Sequence, residues 1–262
     1  MDDKLLEMMC DPKAHNPVKQ NGLVLETDDK KTFPIQNDIP VFLRSIDVIG
    51  LNLKYQRFYD TIAPICGIAL SLYKLIGNRV FTLRKEIFRD LKINPGAKVL
   101  ETSIGTGYNI TMFTKDAEYY GIDISMKMLR VCQRMNKKWG FKLHLAQANA
   151  EELPFKNKQF DVVFHVGGIN FFNDIPKAIN EMIRVAKPGA QILICDETQK
   201  HVTSFYQRIP FVRRFFHDAR PIVVPIPFIP KNMTDVNLTY AWDKRMYVIT
   251  FKKPNESVNH AI

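Results

Sequence analysis

From Lys98 onward the chain switches repeatedly between two hydrophobic periods, and that alternation limits its fold more than any other feature. The short apolar runs KVLET, AEYYGIDI, KLHLAQA, FDVVFHV and QILICDE alternate with segments such as SMKMLRVCQRMNKKW and IPKAINEMIRVA, whose apolar residues recur every three or four positions. Runs of the first kind are strands covered on both faces, and segments of the second kind are amphipathic helices. The run KVLET is followed by a predicted helix reaching Thr114. Strands joined in this way by crossover helices lie parallel, so the expected fold is α/β, a doubly wound, Rossmann-like sheet. At the C-terminal end DVNLTYAW and RMYVITFKK flank Asp243 and Lys244, which predicts a β-hairpin added to that sheet.

The segments before the alternation read differently. Residues 1–44 pair short apolar runs with turn-rich stretches, HNPVKQNG and ETDDKK, and suit a small β-ribbon appendage. Residues 45–95 carry a helical pattern in YQRFYDTIAPI, IALSLYKLI and VFTLRKEIFRDL, a cap of helices before the core. The core is assigned to 96–254 and a short tail to 255–262. Within the core, 201–230 mixes aromatics with arginines and ends in PIVVPIPFIP, where proline's fixed φ opposes regular helix; this segment is expected to act as a lid.

Chemistry concentrates at the strand ends. In VLETSIGTGYNI a buried strand closes on Glu101 and runs through Gly105 and Gly107 toward the predicted helix. Glycines there let a ligand approach the backbone, and a helix N-terminus offers N–H groups to an anion. A dinucleotide fingerprint would need a third glycine at the position held by Ile110. The next strand closes on Asp123, at about the separation where an acid grips ribose hydroxyls. The same residue could instead cap the following helix, and the glycine turn upstream favours ribose binding.

VLETSIGTG resembles the first motif of class I S-adenosylmethionine (SAM)-dependent methyltransferases. GIDIS resembles their ribose motif, ANAEELPF the adenine motif, FDVVFHVGGINFFND the fourth strand and its exit, and MIRVAKPGAQILICDE the helix and strand that follow. The resemblance covers residues 96–200 and implies a SAM cofactor. It implies that Glu101, Ser103, Gly105 and Gly107 surround the methionine moiety, that Asp123 and Ile124 meet the ribose, and that Asn149 and Ala150 meet the adenine. Ser103 replaces a glycine usual in the motif, and Asn149 an acid. YQRFYDTIAPICG resembles the pre-core helix of ubiquinone and menaquinone methyltransferases, which nominates Tyr59 over the cofactor. His165, at the end of the fourth strand, is placed between cofactor and acceptor as a candidate general base, beside the reading that it satisfies a local hydrogen bond.

LLEMMCDPK and FPIQNDIPVFL resemble a small zinc-ribbon module found before some methyltransferases. That alignment sets Cys10, Lys13, Glu26 and Asp29 at the four cysteine positions, a poor zinc ligand set, so no metal is expected. The four cysteines form no C-x-x-C pair, and no run of apolar residues is long enough to span a bilayer; a cytoplasmic address is expected. A net charge of +10 would suit a phosphate backbone or an anionic membrane surface, though the same excess serves solubility. The acceptor expected is a small, partly hydrophobic molecule, quinone-like, phenolic or lipid-related. RNA is the rival acceptor, suggested by RMNKKWGFK and FVRRFFHDAR; a non-catalytic binding protein on the same fold is the third reading.

Overall fold

The computed structural model describes residues 2–76, 79–205 and 221–255. The chain opens with α1 (Asp3–Met8), β1 (Val18–Asn21), β2 (Val24–Thr27), β3 (Thr32–Gln36) and β4 (Ile39–Pro40), then α2 (Gly50–Ile76) and α3 (Arg79–Ile87). The alternating part follows as β5 (Lys98–Thr102), β6 (Glu118–Asp123), α4 (Met126–Trp139), β7 (Lys142–Gln147), β8 (Phe160–Val166), α5 (Ile175–Val185), β9 (Ala186–Glu197) and α6 (Gln199–Phe205). The hairpin of β10 (Thr234–Ala241) and β11 (Met246–Lys252) completes it.

Seven strands form one sheet in the order β10-β11-β9-β8-β5-β6-β7. Strands β5 to β9 run parallel, and β11 lies antiparallel to both its neighbours. The chain winds outward in one direction through β6 and β7 and in the other through β8 and β9. The boundary between β5 and β8 is therefore a topological switch point, where open α/β sheets bind ligands beyond their carboxyl ends. Helices cover both faces, so the central strands are apolar throughout. Leu100, Val163, Ile192 and Ile194 pack with Ile179 and Met182 of α5 on one face. Val99, Phe164 and Leu193 pack with Ile87 of α3 and Leu129 of α4 on the other.

The helix ends are written locally. Ser125 caps α4 by accepting a hydrogen bond from the Met128 N–H, and Gly140 ends it in the left-handed region. Asp174 caps α5 by accepting from Lys177 N, with Pro176 in its first turn.

One expectation needs revision. The helix predicted after Gly107 is a 3-10 turn over Tyr108–Met112. It stops because Phe113 turns extended and inserts between Phe88 and Phe164, with ring centroids 4.9 and 5.8 Å away, while the Thr114 carbonyl accepts the Tyr119 hydroxyl. The N-terminal ribbon, a four-stranded antiparallel sheet, shares the core of the main unit. Met9 bridges Phe155, and Val41 and Phe42 extend the large sheet beside Gln147, the Phe42 N–H donating to its carbonyl at 2.9 Å. Covering an exposed strand edge in this way satisfies backbone groups that would otherwise be open.

The segment expected to act as a lid, 201–230, includes 206–220, which lie outside the described residues. Its last part is irregular except for a 3-10 turn at Ile226–Phe228. Ile222, Val224 and Ile226 pack on the α5 side of the sheet, Ile222 also against the Tyr55–Phe58–Phe171 cluster. The described part thus backs a wall of the cavity described below and does not line it. Among the described residues no helix is long and apolar enough to cross a membrane.

Candidate active site

A cavity of about 900 Å³ opens at the carboxyl ends of the parallel strands. That lies near the top of the range for ligand pockets, roughly 300–1,000 Å³. Tyr59, Ser103, Gly105, Asp123, Ile124, Asn149 and Ala150 all line it, so seven of the residues singled out in the sequence meet at one place.

Asp123 organises the polar end. It closes β6 and is nearly buried; its Oδ2 accepts the Gly105 N–H and its Oδ1 the Ser125 N–H, each at 2.8 Å. Burial pushes its acid up to about 6 against the opposing pull of these N–H donors. One carboxylate thus holds both the glycine loop and Ser125, the residue that caps α4. Ser125 Oγ donates to Asp60 at 2.6 Å, and Gln56 donates to the Ile124 carbonyl at 2.9 Å, so α2 is tied down over this end. Asn149 Oδ1 accepts the Glu151 N–H at 3.0 Å, which leaves its amide N–H₂ as the donor end.

Glu101, Gly107 and His165 are not among the residues lining the cavity. Gly107 has φ 76°, and a Cβ there would stand 2.5 Å from Cys132 Sγ, so its lack of a side chain admits α4. Glu101 is buried and accepts the Asn109 amide at 2.6 Å; burial pushes it up to about 8, so it is protonated at neutral pH. His165 is fully buried, its Nδ1 3.0 Å from the Thr102 carbonyl and its ring 5.2 Å from that of Phe172. Burial lowers it to about 4, which leaves it neutral. A strand alternates its side chains between two faces, and at this strand end it is Val166, Gly167 and Gly168 that reach the cavity.

The other end is apolar and was largely missed in the sequence. Tyr55, Phe58 and Ile62 from α2 face Phe171 and Phe172 from the loop after β8, with Tyr55 and Phe171 stacked at 4.1 Å. FDVVFHVGGINFFND contains the signal, since a pair of aromatics directly follows a loosened strand end. Behind that loop, buried Asp196 accepts the N–H groups of Gly168 and Asn170 at 2.9 and 3.2 Å, and Asn170 Nδ2 donates to Tyr247 Oη at 3.0 Å. Tyr59 stands between the two ends, its phenol raised by burial and by the carboxylates of Glu197, Asp196 and Asp123.

In the N-terminal sheet, buried Asp11 pairs with Lys31 at 2.6 Å, and Lys13 pairs with Asp47 at 3.0 Å. Among the described residues no group of three His, Cys, Asp or Glu could hold a metal.

Residues 100–194, from β5 into β9, match a family model described as a methyltransferase domain. The match covers the parallel strands whose carboxyl ends border the cavity. Among curated relatives, the demethylmenaquinone methyltransferase of Streptomyces avermitilis is 32% identical over 139 residues, covering 53% of this chain and 58% of the relative. The phthiotriol/phenolphthiotriol dimycocerosates methyltransferase of Mycobacterium leprae is 31% identical over 104 residues, 38% of each chain. The match to the first of these thus spans little more than half of the relative's length. A SAM-dependent methyltransferase from Thermotoga maritima, described as a possible histamine N-methyltransferase, superposes with a TM-score of 0.56 at 15% identity, covering 78% of this chain and all of that one. That likeness concerns the fold.

Proposed function

We propose that this protein transfers the methyl group of SAM to a small, partly hydrophobic acceptor that is quinone-like, phenolic or lipid-related. The observation that carries the reading is the division of one cavity into a polar end at Asp123 and Asn149 and an aromatic end at Tyr55, Phe58, Phe171 and Phe172. The curated relatives named for menaquinone and phthiotriol substrates support the same acceptor chemistry.

The wall fits the cofactor's functional groups. Asp123 is an anionic acceptor suited to the ribose hydroxyls, Asn149 and Ala150 flank the place for the adenine, and the loop from Ser103 to Gly105 follows the amino-acid portion. SAM supplies an electrophilic methyl on a sulfonium. The chain's own task is to fix the donor on the β5–β7 side and to hold the acceptor in line with it on the β8–β9 side. Tyr59 bridges the two, and the four aromatic rings exclude water from the acceptor end. Alignment of two reactants in a dry site accounts for much of a barrier reduction of this kind. His165, neutral and packed away from the cavity wall, serves as a strut between β8 and β5 in this scheme.

RMNKKWGFK gives RNA little to stack on. Trp139 packs against Tyr108, and Phe141 against Tyr119, with ring centroids 6.3 and 5.6 Å apart. FVRRFFHDAR lies outside the described residues.

The test is release of S-adenosylhomocysteine when the full chain is given SAM and a panel of quinols, catechols, hydroxylated lipids and polar amines. Turnover confined to the apolar members is expected; turnover only with polar amines would overturn the acceptor assignment.

A further inference from the structure

We propose that the outer face of α4 docks on an anionic lipid bilayer; the choice of a bilayer as partner rests on the reading of the acceptor as lipid-related. Between Asp123 and Glu151 the chain carries six lysines and arginines and not one acid. Five of them, Lys127, Arg130, Arg134, Lys137 and Lys138, fall on α4, and the sixth, Lys142, opens β7. Steps of three and four residues set the five on one face of the helix, and all five are exposed. The other side of α4 is apolar and used up within the protein: Leu129 and Cys132 pack toward the sheet, and Met128, Val131 and Met135 pack with Ala63 of α2.

Elsewhere the surface pairs its charges. Lys19 meets Asp28, Lys177 meets Glu152, Lys187 meets Asp161 and Lys252 meets Asp235. Among the described residues, none of the five cations on α4 has an acid within ion-pair distance. Nor does the stripe serve the helix. Lys127 stands in the first turn, at the positive end of the helix dipole, where a cation is disfavoured. Neighbours along the stripe repel one another at the spacing where like charges weaken a helix. An anionic surface laid against the stripe offsets both costs.

The stripe begins beside the cavity. α4 follows directly from Asp123, and Met128, the neighbour of Lys127, lines the cavity wall. Ile65 of α2 lines it too and is 67% exposed, an apolar side chain at the mouth. Cations near an exposed isoleucine match a layer of anionic headgroups over acyl chains, a surface from which a lipid-related acceptor would enter. Single-stranded nucleic acid binds instead where exposed rings can stack on its bases. The rings at this end of α4 are engaged inside the protein, Trp139 with Tyr108 and Phe141 with Tyr119.

Sedimentation of the full chain with vesicles tests this, using phosphatidylcholine alone and an equal mixture of phosphatidylcholine and phosphatidylglycerol. Binding to the mixed vesicles only is expected, and it should be largely lost by about 0.5 M salt, where screening is short-ranged. This arm uses the unaltered protein, so it does not depend on whether a variant folds. Replacing three cations together, Lys127→Gln, Arg130→Gln and Arg134→Gln, should lower partitioning roughly 100-fold, about fivefold for each charge near an anionic surface. Calorimetry should find S-adenosylhomocysteine affinity in that variant within about twofold of the unaltered protein, since none of the three lines the cavity. A second variant, Lys19→Gln with Lys187→Gln and Lys252→Gln, loses the same net charge from paired positions and should keep its vesicle binding within about threefold. Equal losses in the two variants, or equal binding to both kinds of vesicle, would overturn the proposal. So would salt-sensitive binding to single-stranded RNA with none to the mixed vesicles. Methylation of a detergent-dispersed lipid acceptor by a protein that ignores the vesicles would remove the docking face and keep the acceptor reading. Vesicle binding lost in the α4 variant, in a protein that methylates only polar amines, would keep the docking face and remove the acceptor reading.

Discussion

The two ends of the cavity are built by different means. At the polar end the side chains that face the ligand stand on strand ends and turns of the sheet, and Asp123 is held by N–H groups from two separate segments. At the apolar end the wall consists of ring contacts between α2 and the loop after β8. A geometry set by backbone hydrogen bonds tolerates little change, whereas a wall of packed rings can be refitted by exchanging one side chain for another. That difference suits a constant donor and an acceptor that varies among relatives of one fold.

The contrast can be broken at Asp123 first. Asp123→Ala should weaken S-adenosylhomocysteine by roughly a hundredfold or more, since it removes an ionised acceptor and frees the Gly105 loop, a loss calorimetry reads directly. Unchanged affinity in a folded variant would remove the ribose assignment.

The next effect is on pH. Burial raises the Asp123 acid from the ordinary carboxylate range to about 6. In the free protein this group therefore favours the folded state fully at pH below the ordinary carboxylate value, and that contribution is lost as the pH rises through 6. A ligand that needs the carboxylate works the other way. Its affinity should rise by about tenfold per pH unit up to the folded-state value and then level off, with proton release on binding near pH 6. Asp123→Asn should flatten that profile, and a slope surviving in the variant would assign the titration to another group.

At the apolar end, Phe172→Ala should raise KM for an apolar acceptor by about tenfold through lost ring contact, while S-adenosylhomocysteine affinity stays within about twofold. Comparable losses in both measurements would mean that the two ends are not separate. The smallest effect is expected at His165. Loss of a general base lowers kcat by roughly 10²–10⁴-fold, whereas His165→Ala should keep kcat within about threefold across the pH range and lose about 1–3 kcal/mol of stability in denaturant unfolding.

The sheet, its helices and the closing hairpin were legible because each rests on periodicity, which local sequence carries. The meeting of Gly105 with Asp123, 18 residues apart, was legible as well, through a strand end, a glycine turn and a second strand end at a suggestive spacing. What could not be read depends on which way a strand's last side chains turn. Glu101 and His165 close their strands as Asp123 does, yet both are packed away from the cavity wall. Tertiary packing also cut short the helix after Gly107, because Phe113 had an aromatic site to fill.

The most direct test of the central claim follows the methyl group. The full-length protein would be incubated with SAM labelled in its methyl group, together with a cellular lipid extract in one tube and total RNA in another. Label entering the organic phase of the lipid reaction, with none precipitating alongside RNA, is the result expected from a cavity with one polar and one aromatic end. Label precipitating with RNA, or label remaining on SAM in both tubes, would contradict it.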